Sequence, residues 1–448
     1  MNKSGITQAP KLCADEYGNL HYIADELGRG GQGVVYRTRD ADLAIKQPLD
    51  ASGQPDKNAN LRDRFQNIRL LPIPSHIPVS MPLAILRDEP GYVMRLLNEM
   101  KPFSIFDLDG ETKKRLKERK LVIPQWLSGI PDKEMAFRLF HYADTKSTRR
   151  RLLALSKCAS ILARLHKAGL VYGDISTNNV YIEEGSHGEV WLIDADNLRY
   201  ELPSGGPSVY TPGYCAPEVV RGTDCSRPRS DCWAFAVMTF KILSLCHPFI
   251  GKKVLEPDDD AGGWDAEPVA DGTPADMDEQ AHAGYLPFID DKDDNSNKGI
   301  GGLPRELVAT PELRLLFQET FGAGRTQPHR RPAMGFWALE LAKAFDRSLE
   351  CHECSMSYFV DEYENCPYCG ALRAAFLRAR TNRWEILIPD GATEFPLPHR
   401  LFNPFSVKHN DDAECEAVLD FEAKNVFPVR GTKPFPDNLT FKFVEAAK

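Results

Sequence analysis

Three oxygen-bearing side chains stand at intervals that suit phosphoryl transfer. Asp174 follows the apolar run Leu170-Val171-Tyr172, Asn179 comes five residues later, and Asp194 follows a second apolar run at 190–193. The β-branched and aromatic runs at 180–182 and 190–193 flank a polar stretch at 183–189, the pattern of a hairpin with polar residues at both ends. One carboxylate can orient a hydroxyl while an amide and a second carboxylate hold a divalent cation. Mg²⁺ prefers this hard-oxygen set, completed by waters and substrate phosphates. A single Asp here would read as an Asx turn capping nearby backbone; three at these intervals favour chemistry.

A second cluster lies near the start of the chain. Gly28, Gly30 and Gly33 form a glycine-rich turn between strand-like runs, followed by Val34-Val35-Tyr36 and then Leu43-Ala44-Ile45-Lys46. Glycines let backbone N–H groups approach phosphate oxygens, Val35 would cover an adenine ring, and Lys46 would meet the phosphates. A dinucleotide site uses the same letters, but there a helix follows the turn, whereas here two strands do.

A third cluster is made of thiols. Cys351-His352-Glu353-Cys354 and Cys366-Pro367-Tyr368-Cys369 are two CxxC knuckles that can close a tetrahedral four-thiolate Zn²⁺ site. With all four positions thiols, no coordination position is left open, so the zinc is expected to be structural. Disulfides are the alternative, disfavoured by the reducing compartment that the other seven scattered cysteines suggest.

The first two clusters resemble a eukaryotic-like Ser/Thr protein kinase of the type found in bacteria, with divergent YGD and DAD motifs. Tyr172-Gly173-Asp174 through Asn179 is similar to the family's HRDxxxxN loop, and Asp194-Ala195-Asp196 to its DFG. Thr211-Pro212-Gly213-Tyr214-Cys215-Ala216-Pro217-Glu218 resembles the segment at the substrate-binding floor, and Ser230 to Val237 the start of the buried central helix. There Asp231 is expected to cap the helix and bond the catalytic loop, and Arg331 to pair with Glu218. The resemblance implies an ATP- and Mg²⁺-dependent enzyme. In it Asp174 serves as base or hydroxyl-orienting residue, Lys46 contacts the phosphates, and Asn179 and Asp194 are metal ligands. It also implies protein substrates, and a phosphatase or metal-binding partner protein.

The chain departs from that pattern in ways that matter. No glutamate lies between Lys46 and Glu89 to hold the lysine, and helix 59–71 offers only Asp63 or Gln66 in rough register. The helix packs closer, the lysine is oriented in another way, or it is unsupported. Gly173 replaces the arginine that reads a phosphorylated loop, Ser176 replaces a lysine, and Asp196 replaces the glycine of DFG, offering a second carboxylate to the metal. A nucleotide-binding scaffold and a small-molecule kinase are the alternatives these departures leave.

The expected architecture is α+β: a bilobal protein kinase fold with a C-terminal zinc ribbon and a small β module. Its parts are an N-lobe at 17–97, a C-lobe at 98–348 with an acidic insert at 251–303, the ribbon at 349–372, and a β-rich module at 380–448. At 448 residues and 42% hydrophobic the chain can bury several cores. A net charge of −9 argues against a general nucleic-acid grip. The basic clusters at 112–120 and 149–151 read as solvated helix faces. Asp291, Asp293 and Asn295 suggest a calcium loop, but Ser296 and Gly302 occupy its glycine and bidentate positions. A flexible surface loop is the expectation for the insert, with an acidic docking site as the other reading. No run approaches the roughly 20 apolar residues of a membrane span, and a cytoplasmic location is expected.

Overall fold

The computed structural model describes residues 11–30, 33–50, 52–58, 60–74, 77–108, 110–118, 124–185, 188–201, 210–256, 276–299, 301–404, 413–429 and 434–447. Six antiparallel strands open the fold: β1 (Leu12–Ala14), β2 (Leu20–Gly30), β3 (Gly33–Thr38), β4 (Leu43–Pro48), β5 (Pro82–Ile85) and β6 (Tyr92–Arg95). They lie in the order β1-β2-β3-β4-β6-β5. Alternation along β4 sends Ile45 into a small core with Cys13, Ala84, Leu86 and Val93, and Lys46 to the opposite face. On that face Tyr92 stands directly across from Lys46 in the β4–β6 register.

The helix Asn60–Arg69 buries Leu61, Phe65 and Ile68, one stripe at helical spacing. Phe65 meets Tyr92 edge to face at 4.9 Å. The helix therefore leans on the strand that carries Tyr92.

The second lobe is organised on two long helices, Ser147–Lys167 and Pro228–Ser244. The latter is buried on nearly every face, as its apolar composition all round requires. Its Trp233 and Phe240 meet Phe249, Phe288 and Phe317, with Phe321 packed on Phe249, mostly edge to face. The hairpin Val180–Glu183 and Val190–Leu192 pairs in register, with Met100–Pro102 as its third strand.

Two surface expectations are corrected. The cluster 149–151 is no solvated face: the Arg151 side chain is fully buried, bonded to the carbonyls of Ile242 and Ser147, and stacked on Tyr142 at 3.8 Å. A guanidinium can be buried because its donors fit backbone carbonyls and its plane fits an aromatic ring. The insert is no loose loop where it is described. Asn297 is wholly buried, its amide bonding the carbonyls of Phe249 and Pro287, and Asp290 pairs with Arg305 at 2.8 Å. Asp258, Asp259 and Asp260 lie outside the described residues.

The strands Ser348–Glu350 and Ser357–Phe359 form the hairpin of the cysteine-bearing unit. It is seated on the N-terminal end of the helix Ser147–Lys167. The Ser357 N–H bonds the Ser147 hydroxyl at 2.9 Å, and Arg149 bonds the carbonyls of Phe345 and Ser348. Beyond it, two three-stranded sheets close over Leu377, Trp384, Ile386, Leu397, Cys415 and Ala417. Their first strand, Phe376–Arg380, begins ahead of the expected start at 380. No helix among the described residues is long and apolar enough to cross a membrane.

Candidate active site

The glycine turn is carried at the ends of β2 and β3, with Gly31 and Gln32 outside the described residues. The space where a side chain at Gly28 or Gly30 would stand is open, whereas a Cβ on Gly33 would lie 2.9 Å from the Gln47 carbonyl and 3.1 Å from Lys46 Cε. Gly33 is thus glycine because β4 passes close behind it. Val35 pairs with Lys46 across β3 and β4.

The Lys46 ammonium sits 2.5 Å from Asp194 Oδ1 and 2.8 Å from Asp196 Oδ2. Burial works against this ammonium, but the charges of Asp196 and Asp194 outweigh it and raise its pKa. Asp196 was expected to offer a carboxylate to the metal. Instead both its oxygens have protein partners, Lys46 on one and the Tyr92 hydroxyl, at 2.7 Å, on the other. Burial and the neighbouring carboxylate push the Tyr92 phenol well up, so it remains a donor. Neither residue offered by the helix 60–69 fills the missing glutamate's place. Asp63 is exposed, and Arg64 grips the Asp196 carbonyl at 2.7 and 3.2 Å.

Asp174 is 4% exposed. Its Oδ1 accepts from the Thr211 N–H at 2.9 Å and hydroxyl at 2.8 Å, and its Oδ2 from the Asn179 amide at 3.0 Å. Burial raises the Asp174 pKa despite these donors. With its NH₂ committed to Asp174, Asn179 keeps its amide oxygen for a cation. Asp194 has a left-handed backbone, φ 57° and ψ 62°, which Asp tolerates better than most residues and which functional sites often hold. Burial and the charge of Asp196 raise its pKa, with Lys46 opposing.

The loop is held from below. Asp231 accepts from the N–H groups of Tyr172 and Gly173 at 2.8 and 3.0 Å, and meets His166 Nε2 at 3.0 Å. It does not cap its helix; the Ser230 hydroxyl does that by accepting from the Arg227 N–H at 2.6 Å. Gly173 has φ +84°, a left-handed conformation in which the family's arginine would be strained. The Tyr172 hydroxyl bonds the Ile193 carbonyl, tying the Asp174 loop to the strand that leads to Asp194. On the floor, Arg331 grips Glu218 bidentately at 2.6 and 2.8 Å and lies over Trp233.

This donor set fits Mg²⁺ and ATP. Asn179 and Asp194 supply hard oxygens, the room beside Gly28 and Gly30 is open, and the buried Ser176 hydroxyl lacks a protein partner. The thiols of Cys351, Cys354, Cys366 and Cys369 all lie within 4.8 Å of one another, a set that could hold zinc.

The sequence reading missed Tyr92, Arg64 and the Thr211 contact to Asp174. No signal in the sequence marks them: Tyr92 is placed by the β4–β6 register and the others by contacts between distant segments.

Residues 132–261 match the family model described as Protein kinase domain. The chain is similar to Serine/threonine-protein kinase pkn2 of Myxococcus xanthus, 34% identical over 110 residues, 23% of this chain and 13% of that protein. It is similar to Serine/threonine-protein kinase Nek9 of Mus musculus, 25% identical over 243 residues, 53% of this chain and 21% of that one. Serine/threonine-protein kinase PknL of Mycobacterium tuberculosis is 34% identical over 125 residues, 26% and 31% of the two chains. The chain spans less than a third of each of these relatives. These likenesses support the protein kinase superfamily and, with it, the bilobal α+β kinase fold.

Proposed function

We propose that the chain is an ATP- and Mg²⁺-dependent protein kinase that transfers the γ-phosphate to Ser or Thr of protein substrates. One observation carries this reading. Lys46 bonds Asp194 while Asn179 bonds Asp174, the Tyr172 hydroxyl ties the two segments together, and Thr211 of the floor segment touches Asp174.

The mechanism needs positioning and charge more than covalent chemistry. Asp174 orients the attacking hydroxyl and takes its proton, from a carboxylate already fixed by Asn179 and Thr211. Lys46 places a buried positive charge where phosphate oxygens arrive, in surroundings of low dielectric where it counts for most. Asn179 and Asp194 would hold Mg²⁺, which when bound neutralises charge on the phosphates. Glu218 and Arg331 keep the floor in place. A protein substrate is favoured by the TPGYCAPE segment, and a reducing compartment, the cytoplasm, by the seven cysteines scattered without a framework pattern.

The test is incubation with γ-labelled ATP, Mg²⁺ and a basic protein substrate, followed by phosphoamino-acid analysis. Phosphoserine or phosphothreonine supports the reading. ATP binding without transfer would replace it with a scaffold, and label confined to small molecules with a small-molecule kinase.

A further inference from the structure

No glutamate lies between Lys46 and Glu89 to hold the lysine, yet its side chain is only 6% exposed and is paired with two carboxylates. Its partners come from elsewhere. The left-handed Asp194 and the single helical turn Ala195–Asn197 bring two carboxylates, two residues apart, to one ammonium. Asp194 is the one that a metal would claim. Asp196 is held away from that role by Tyr92, which reaches it from the strand position opposite Lys46.

We infer that Asp196, fixed by Tyr92, is the positioning residue for Lys46 and keeps the ammonium aimed at the phosphates when Asp194 turns to the cation. This deepens the kinase reading and rests on it. Lys46, Tyr92 and Asp196 form a chain, ammonium to carboxylate to phenol, with bonds of 2.8 and 2.7 Å. The helix 60–69 contributes Phe65, packed on the Tyr92 ring, and Arg64, which holds the backbone carbonyl of Asp196 and leaves its side chain free for the lysine. The lysine's orientation therefore travels with the Asp194 segment and does not depend on an acid from the helix.

The experiment measures Mg·ATP affinity by calorimetry, and kcat and ATP KM by label transfer, for wild type, Asp196→Asn, Asp196→Glu and Tyr92→Phe. Asparagine still accepts from Tyr92 but turns a neutral amide to the ammonium. Asp196→Asn should lower kcat about 100-fold and weaken Mg·ATP binding about tenfold, with Asp196→Glu recovering part of both. Tyr92→Phe should shift both in the same direction by a smaller factor. A role in packing alone would lower Tm and leave ATP KM and affinity at wild-type values, and that result overturns the inference. Wild-type kcat and affinity in Asp196→Asn also overturn it. If Asp196→Asn does not fold, Tyr92→Phe decides, an unchanged kcat and affinity counting against. If the wild type binds Mg·ATP but transfers nothing, the kinase reading falls by itself. The binding arm then judges the inference: weaker binding in Asp196→Asn supports it and equal binding overturns it.

Discussion

Asp346 and Arg400 form a bidentate pair, 2.6 and 2.7 Å, with 1% and 7% of their surfaces exposed. Asp346 ends the helix Met334–Asp346, and Arg400 belongs to the C-terminal β module. The Trp384 indole N–H adds a third bond to the same carboxylate at 2.7 Å, and Leu339 and Ala342 of that helix pack on the module's core. Breaking a buried pair on one side leaves an uncompensated charge, at a cost of about 3–5 kcal/mol. Asp346→Ala should lower stability by that amount in urea unfolding. A loss below about 1 kcal/mol would mean the pair behaves as an exposed one.

The four-thiol unit is joined to the helix Ser147–Lys167 through Ser147, Arg149 and Ser357, and to the rest of the lobe through a Tyr368 bond to the Leu307 carbonyl. Losing its metal should therefore destabilise the lobe as well as the ribbon. Elemental analysis should find about one zinc per chain. Chelation or Cys354→Ser should cost on the order of 4 kcal/mol in the main unfolding transition. A chelator that leaves that transition unmoved would contradict this coupling.

His247 gives a pH dependence of known sign. Its Nε2 donates to the Gly213 carbonyl at 2.9 Å and its Nδ1 accepts from the Phe249 N–H at 3.3 Å, so a second proton has no place. Burial pushes the imidazole down from 6.5 to about 3. The unfolded chain then binds more protons than the folded one between those values. The contribution is present above pH 6.5 and is lost as pH falls towards 3. His247→Gln should flatten the dependence of Tm on pH across that window; an unchanged slope would remove His247 as its source.

Asp174 has the opposite sign. Burial raises its pKa above 3.8, so the folded state keeps the proton longer and the ionised carboxylate costs stability once pH rises through that window. Asp174→Asn, whose oxygen can still accept from Thr211 and which gives up only the Asn179 bond at Oδ2, should be more stable at pH 7 by on the order of 1 kcal/mol, a trade of stability against activity. Equal or lower thermal stability in the variant would contradict this.

Much of the site could be read along the chain because the chemistry sits in short segments. The 174–179 and 194–196 spacings, the Glu218 and Arg331 pair, and the four thiols each depend on local order or on a strong motif. What could not be read depends on register across distant strands or on burial. The Tyr92 bond that fixes Asp196, the partner of Lys46, required knowing that β4 lies beside β6, so that Tyr92 stands across from the lysine at a separation of 46 residues. Arg151 looked like surface charge because nothing in RRR announces the Tyr142 ring and the backbone carbonyls that receive it. The insert looked loose by composition, yet Asn297 anchors its later half by replacing backbone partners with side-chain ones.

The most direct test compares kcat for phosphoryl transfer in wild type and Asp174→Asn, with Mg·ATP binding measured on both. The account expects transfer to Ser or Thr by the wild type, a loss of about 10²–10⁴-fold in the variant, and ATP binding retained by both. Equal rates in the two proteins, or a wild type that binds Mg·ATP and transfers nothing, would contradict it.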